Sequence, residues 1–182
     1  MLAYAGIGSR DITEREKTDI FFAAATLRAR GWLVYSGNAD GSDVTFQRGS
    51  ENNCVVFLPW RTFNEDVYDC GAAKACFIAG DSTEGIASIS YYHPQAARIM
   101  DKQGVRALMA RNYHQVMGFG DYPQVRFVLC CATPNGKGVE GGTGQAVRIA
   151  RDKGIPVLNI REDGWKTELD RLTWETGEGE KK

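Results

Sequence analysis

The chain has 182 residues, with 43% hydrophobic and 25% charged residues, and these values are typical of a globular domain with a sizeable core. A formal net charge of -1 excludes an overall basic field of the kind that attracts nucleic acids, but it leaves room for a local basic patch. No apolar run approaches the length of a membrane span, and the N-terminus lacks a signal-peptide pattern. We therefore expect a cytoplasmic protein with no membrane partner.

The cysteines predict a reducing environment. There are five of them, an odd number, and no two form a Cys-x-x-Cys pair. Cys130 and Cys131 are adjacent in an apolar run, where thiols act as small hydrophobic groups in a strand. We predict that no disulfide forms in the native protein. With two histidines and no ligand-spaced cysteines, we also expect no metal site, and no cofactor is indicated.

The first elements form a βαβ unit. Residues 2–7 are short and apolar, as expected for a strand of a parallel sheet, and Gly8-Ser9-Arg10 follow directly. A capping box at Thr13 and Glu16 begins a helix that should end near Gly31, and residues 32–35 form the second strand. The Gly8–Arg10 turn then lies at the carboxyl end of a strand, where ligands bind in open α/β sheets.

A second glycine-containing turn, residues 36–43, joins the second strand to the next helix. It reads Ser36-Gly37-Asn38-Ala39-Asp40-Gly41-Ser42-Asp43. Such a turn can aim several backbone N–H groups and a helix dipole at one point, which suits phosphate. The alternative that the sequence leaves open is a plain strand-to-helix turn with Asp40, Ser42 or Asp43 as the N-cap.

The middle of the chain is harder to interpret. Residues 54–58 are the third strand, residues 67–79 favour a helix, and residues 80–85 favour a loop. Further helices begin at Pro94 and near residue 105, the second running to residue 117. Its polar residues, among them Arg111, Asn112 and His114, are most simply solvated groups on an amphipathic helix.

The last third of the chain repeats the strand–turn–helix–strand pattern. Residues 125–131 are the fourth strand, Gly141-Gly142-Thr143-Gly144 lead into a helix that ends at Gly154, and residues 156–160 are the fifth strand. Residues 1–174 form a single domain and residues 175–182 a flexible tail. The right-handed crossover rule then predicts a three-layer, Rossmann-like α/β fold with a parallel five-stranded sheet in the order 3-2-1-4-5.

Taken together, these motifs resemble a known family. Gly8-Ser9-Arg10, the 36–43 turn, Arg111-Asn112 and the 141–144 glycine run resemble, in this order, the core of the DNA-processing protein A (DprA/Smf) family. That core belongs to the SLOG superfamily, which also contains the Lonely Guy phosphoribohydrolases. The resemblance implies a Rossmann-like sheet with a pocket for a nucleotide-derived ligand or a DNA backbone, and by analogy a homodimer.

The chain also departs from both families. The phosphoribohydrolases carry Pro-Gly-Gly-x-Gly-Thr-x-x-Glu, and here Glu140, Gln145 and Arg148 replace the proline, the threonine and the catalytic glutamate. An arginine can neither activate water nor stabilise an oxocarbenium ion, as a carboxylate can. Tyr113 stands where the DNA-processing family has the second arginine of Arg-Asn-Arg.

These motifs and the resemblance suggest three alternative functions. The first is binding of a nucleotide or nucleotide-derived small molecule, and the second is hydrolysis of an N-glycosidic bond, with Asp43 and Glu140 as candidate acid and base. The third is single-stranded DNA binding, which needs a basic groove such as Arg10, Lys137 and Arg111 with Tyr113 as a platform. The expected ligand and phosphate contacts are Gly8, Ser9, Arg10, Ser36, Gly37, Asn38, Gly41, Asp43, Arg111, Asn112, Gly141, Gly142, Thr143 and Gly144.

Overall fold

A computed structural model describes residues 1–67, 69–136 and 138–178, and for residues 175–178 the backbone alone. Its sheet strands are β1 (Ala3–Gly8), β2 (Leu33–Ser36), β3 (Cys54–Leu58), β4 (Ala75–Ile78), β5 (Phe127–Cys131) and β8 (Val157–Asn159), and a small hairpin adds β6 (Pro134–Asn135) and β7 (Gly138–Val139). The helices are α1 (Glu14–Ala29), α2 (Ser42–Gly49), α3 (Thr83–Tyr92), α4 (Ala96–Ile99), α5 (Gln103–Met117), α6 (Thr143–Asp152) and α7 (Trp165–Glu178).

The fold is a parallel sheet covered by helices on both faces. Neighbouring strands follow the order β4-β3-β2-β1-β5-β8, and every pairing between them is parallel. One face packs Tyr35 and Phe57 under α5 and α6, and the other packs Tyr4, Trp32 and Phe127 under α1, α2 and α7. This is the predicted three-layer α/β architecture.

The first helix begins as the sequence predicts. The Thr13 hydroxyl accepts from the Glu16 N–H at 3.2 Å, and the Glu16 carboxylate accepts from the Thr13 N–H at 2.7 Å. This reciprocal pair satisfies two of the N–H groups that a helix start leaves unpaired. Gly31 follows the last turn with φ +82°, a value that favours glycine. The capping box and the glycine after the helix are confirmed.

The sheet is larger than predicted. The described part of the chain forms six parallel strands, not five, because β4 adds to the edge beside β3. The five predicted strands keep their relative order. The helix predicted over residues 67–79 is wrong: Cys70–Ala72 form a 3-10 turn, and Ala75–Ile78 form β4. Residues 75–78 are a short apolar run, which fits a helix as well as a strand, and in the structure they form a half-exposed edge strand.

The prediction that no disulfide forms is also wrong. Cys70 and Cys76 form a disulfide, with their Cα atoms 6.2 Å apart across the turn that leads into β4. The other three cysteines, Cys54, Cys130 and Cys131, are buried thiols in central strands. The odd number of cysteines therefore consists of one disulfide pair near the edge of the sheet and three buried thiols in the core.

The C-terminal helix runs further than expected. Helix α7 continues to Glu178, which lies within the tail predicted for residues 175–182, and residues 179–182 are outside the described part of the chain. No helix among the described residues is both long and apolar enough to cross a bilayer.

Candidate functional site

A cleft of about 410 Å³ opens at the carboxyl ends of β1 and β5. Helix α5 forms one side of it, and the glycine run before α6 forms the other. The structure brings together in this cleft many of the residues singled out in the sequence: Gly8, Ser9, Arg10, Asp43, Arg111, Asn112, Glu140, Gly141, Gly142 and Thr143.

Five of the expected contacts do not line the cleft. They are Ser36, Gly37, Asn38, Gly41 and Gly144. The first four belong to the 36–43 turn, whose N–H groups are largely satisfied within the protein. The N–H of Asn38 donates to the Gln47 side chain at 3.1 Å, and that of Ala39 donates to Asp43 at 3.4 Å. The N–H groups that would bind an anion are therefore already occupied.

The small residues of this turn serve close packing instead. A Cβ on Gly37 would collide with the Arg111 guanidinium, and a Cβ on Gly41 would lie 2.7 Å from the Ser9 carbonyl oxygen. Gly41 also has φ +76°, which other residues rarely adopt. The Ser36 hydroxyl donates to the Gly6 carbonyl at 2.8 Å. The small residues thus let α5 and the segment after β1 pack closely against this turn.

A buried ion pair forms the floor of the cleft. The Arg111 Nη1 donates to the Asp43 Oδ2 at 3.3 Å, and the two side chains are only 6% and 4% exposed. Burial raises the pKa of Asp43 even though Arg111 opposes the shift, and burial lowers the pKa of Arg111. The guanidinium carbon also lies 5.8 Å from the centroid of the Phe63 ring. Arg111 is therefore a core residue and not a solvated charge.

Helix α5 is tied to the glycine run. Asn112 Nδ2 donates to the Gly142 carbonyl at 3.0 Å. With its amide oriented to meet its partners, Gln115 donates to Asn112 Oδ1 at 3.0 Å and accepts from the Gly37 N–H at 3.0 Å. The Asn112 bond joins the two sides of the cleft, and the Gln115 bonds tie α5 to the 36–43 turn.

Sequence analysis missed the apolar wall of the cleft and the role of Gln115. Leu108 and Met109 lie on the α5 side, and Gln115 lies below them. The available signal was the spacing of Leu108, Arg111 and Gln115, which recurs every three or four residues and so lies on one helix face. That face points inward, and His114 is buried as well.

The rim offers two groups for an anion. The Arg10 side chain is exposed, and no side-chain hydrogen bond or ion pair involves it in the described part of the chain. Helix α6 begins at Thr143 after Gly142, and no side chain caps its first turn. The N–H groups of Gly144 and Gln145 already donate to the Gly141 and Gly142 carbonyls, at 3.1 and 3.2 Å. The N–H groups of Gly142 and Thr143 have no acceptor among the described residues, and they stay available to a ligand together with the partial positive charge of the helix start.

The remaining candidates for chemistry are poorly placed for hydrolysis. Arg148, at the position of the superfamily glutamate, does not line the cleft, and its Nε donates to the Tyr92 carbonyl. Glu140 lies at the exposed lip. Tyr113 packs edge-on against His114 at 5.2 Å and does not line the cleft, and Lys137 is outside the described residues.

No model of a known protein family matches the sequence, and no curated protein matches it. Solved structures do. DNA processing protein A from Helicobacter pylori matches with a TM-score of 0.55 and 17% identity, over 97% of this chain and 73% of that one. DNA processing protein A (DprA) from Streptococcus pneumoniae matches with a TM-score of 0.52 and 16% identity, over 96% of this chain and 56% of that one. The chain has a DprA-like core.

The DprA-like core is shared more widely. The Moco carrier protein from Chlamydomonas reinhardtii matches with a TM-score of 0.50 and 14% identity, over 94% of this chain and 85% of that one. At these identities the likeness concerns the fold. A Rossmann-like fold of DprA type is therefore established, and the ligand has to be argued from the cleft.

Proposed function

We propose that the chain binds a nucleotide or nucleotide-derived small molecule in the cleft at the carboxyl ends of its strands. One observation carries the proposal: the unpaired Arg10 and the uncapped start of α6 line the same cleft. A guanidinium binds phosphate oxygens in a bidentate manner, and helix-start N–H groups bind the remaining oxygens. Ser9 and Thr143 add hydroxyl groups at the same rim.

The rest of the cleft suits the nucleoside part of such a ligand. Leu108, Met109 and Ala146 supply apolar surface beside these polar groups. A volume of about 410 Å³ lies within the range of roughly 300–1,000 Å³ that is common for small-molecule sites. Apolar walls with a few convergent polar groups are typical of such sites.

Binding is favoured over N-glycosidic cleavage. A hydrolase of this superfamily needs a carboxylate beside the bond that breaks, and Arg148 occupies that position outside the cleft. Asp43 is buried and paired with Arg111. Glu140 is exposed at the lip. The Asp43 carboxylate is thus engaged by a buried arginine, and no described residue fixes the Glu140 carboxylate, so neither is set up as a general acid or base.

Single-stranded DNA is the competing ligand, since DNA processing protein A from Helicobacter pylori has a single-stranded DNA binding mode. Against it, the net charge is -1, and one of the two arginines that line the cleft is neutralised by Asp43. Backbone binding to DNA draws mainly on unpaired positive charge. The homodimer and the cytoplasmic location stay predictions of the sequence.

Calorimetric titration with nucleoside mono-, di- and triphosphates and with an oligothymidylate tests this function. We expect a nucleotide to bind, and Arg10→Ala to weaken it 10- to 100-fold, the range of a hydrogen bond to a charged group. Arg126→Ala is the matched control, because Arg126 is exposed and its N–H donates to Ala3 at the other end of the sheet.

Two further results complete the test. Gly142→Val should also weaken binding, because Gly142 lines the cleft. Its φ of -61° is open to any residue, and an added Cβ would lie 3.1 Å from the Met109 Cε, the end of a flexible side chain that can move aside. If Arg10→Ala binds every nucleotide as well as the parent does, the assignment of the nucleotide site to this cleft is wrong. Tight binding of the oligothymidylate alone favours the DNA function, and release of free base, followed by chromatography, favours a hydrolase.

A further inference from the structure

We propose that the chain carries a second reactive site, in which Ser82 is a nucleophile activated by His114 and takes acyl groups from esters. The site lies after β4, one of the two edge strands of the described sheet. Neither residue lines the cleft described above. The inference is therefore independent of the proposed nucleotide binding.

The hydrogen bonds around His114 define its role. Ser82 Oγ lies 2.6 Å from His114 Nε2, and His114 Nδ1 lies 2.9 Å from the Gly118 carbonyl oxygen. Because a carbonyl oxygen only accepts, Nδ1 carries the ring proton and Nε2 presents its lone pair to the serine hydroxyl. A nucleophile, a base and a third group that orients the base are the recurring parts of an activated serine.

The surroundings keep His114 in its basic, neutral form. The ring is 3% exposed, with its centroid 6.1 Å from that of Phe57 and 5.2 Å from that of Phe119. Burial lowers the pKa of His114, while the Gly118 carbonyl and the charge of Glu84 oppose the shift. A neutral imidazole is available near pH 7 to take a proton from the hydroxyl.

Ser82 occupies a suitable position in the fold. A tight turn through Gly80 and Asp81 connects β4 to Ser82, which is half-buried and caps α3. Nucleophilic serines are commonly placed at such a strand–turn–helix junction, with the next N–H group in the oxyanion site. Thr83 and Glu84 are the first two residues of α3, where N–H groups have no acceptor within the helix. These N–H groups can hold a developing oxyanion.

The hydrogen bonding of Ser82 exceeds what a helix cap needs. Its hydroxyl oxygen accepts from the Gly85 N–H at 3.2 Å, which accounts for the cap. The second bond, at 2.6 Å to a buried imidazole, is not required for capping. Phe119, 42% exposed and in contact with the same ring, provides an apolar surface beside the imidazole. Esters with a small apolar acyl group fit this arrangement best.

The reaction balances without a cofactor. Ser82 Oγ bonds to the ester carbonyl carbon, and its proton passes to His114 Nε2. The C–O bond to the alcohol then breaks, and the leaving oxygen takes that proton. Water, deprotonated by the same nitrogen, attacks the acyl-serine and releases the carboxylic acid.

The test is covalent labelling of the full chain with a fluorophosphonate, in which an Oγ–P bond forms and fluoride leaves. We expect one adduct, assigned to Ser82 by peptide mass spectrometry, and p-nitrophenyl acetate hydrolysis with an initial burst. Ser82→Asn should abolish both while keeping the helix cap, since asparagine is a good N-cap. Ser90→Ala, at an exposed serine of the same helix, is the matched control and should label normally.

His114→Gln should slow labelling at least 100-fold, the scale of general-base catalysis. If that variant does not fold, the labelling rate of the parent should still fall at low pH as the imidazole gains a proton. An unlabelled parent, an adduct that persists in Ser82→Asn, or a labelling rate that does not fall as the pH is lowered from 7 to about 4 would each overturn the proposal and leave Ser82 a helix cap.

Discussion

At the scale of single residues, Asp43 and Arg111 determine what the cleft floor can do. Both side chains are buried away from water. Burial therefore raises the pKa of Asp43 and lowers the pKa of Arg111, which favours the neutral form of each. The Nε of Arg111 is buried without a hydrogen-bond partner, which adds to the cost of burying this side chain. Each charge is therefore tolerated chiefly because the other is present.

We predict that Asp43→Asn lowers the free energy of unfolding by about 3 kcal/mol, because it leaves Arg111 as an uncompensated buried charge. Urea denaturation measures this. Asp40→Asn, at the exposed aspartate of the same turn, should change stability by less than about 0.5 kcal/mol. Replacing both partners, as in Asp43→Asn with Arg111→Met, should recover part of the loss. Equal stability of the two asparagine variants would contradict a buried ion pair.

At the scale of elements, the connection between β3 and β4 supports the turn that carries Asp43. Asn38 Nδ2 donates to the Phe63 carbonyl at 3.1 Å, and Asn64 Nδ2 donates back to the Asn38 carbonyl at 3.0 Å. Both asparagines have positive φ, 60° and 57°, which asparagine adopts more readily than most residues. The Cys70–Cys76 disulfide closes the end of this connection.

Removal of the disulfide by Cys70→Ser with Cys76→Ser should lower the free energy of unfolding by about 2 kcal/mol, the loop-entropy value for so short a closed loop. A dithiol should lower the stability of the parent similarly and leave the double variant unchanged. Alkylation of the denatured parent, followed by intact-mass analysis, should modify three thiols without reductant and five with it. Five thiols without reductant would contradict the disulfide.

At the scale of the whole molecule, the sequence predicts five of the six strands of the described sheet and misses the edge strand β4. Continuous apolar runs and right-handed crossovers specify the order of β1, β2, β3, β5 and β8. The strand β4 was missed because its short apolar run, Ala75–Ile78, fits a helix as well as a strand. The turn at Gly8 was found because it lies at the end of β1, and the glycine run at Gly142 because it leads into α6.

Long-range contacts explain the remaining differences in the cleft. Nothing local indicates that Gln47 and Gln115 take up the N–H groups of the 36–43 turn. The same holds for the inward face of α5, where Arg111 meets a carboxylate that lies 68 residues away in the sequence. Such partners become visible only when the sheet has brought the helices together.

One contact of this kind joins the two ends of the fold and predicts its acid stability. Arg161, after β8, donates to Glu16 on α1 at 2.6 Å, across 145 residues of sequence. Chiefly through that hydrogen bond, the pKa of Glu16 falls from its ordinary value of 4.5 to about 2. A carboxyl group whose pKa is lower in the folded state stabilises the fold above its unfolded pKa, and this stabilisation is lost as the pH falls through the folded value.

The Glu16 contribution should therefore be complete above about pH 5 and disappear between about pH 4.5 and pH 2. With allowance for solvent screening, Glu16→Gln should cost about 1–2 kcal/mol at pH 7 and almost nothing near pH 2. Glutamine keeps the capping box, so the difference reports the charge. Glu14→Gln, whose side chain is 87% exposed in its pair with Lys17, is the control. Denaturation curves for the three proteins from pH 7 to pH 2 measure the effect, and a Glu16→Gln penalty that does not change with pH would contradict the ion pair.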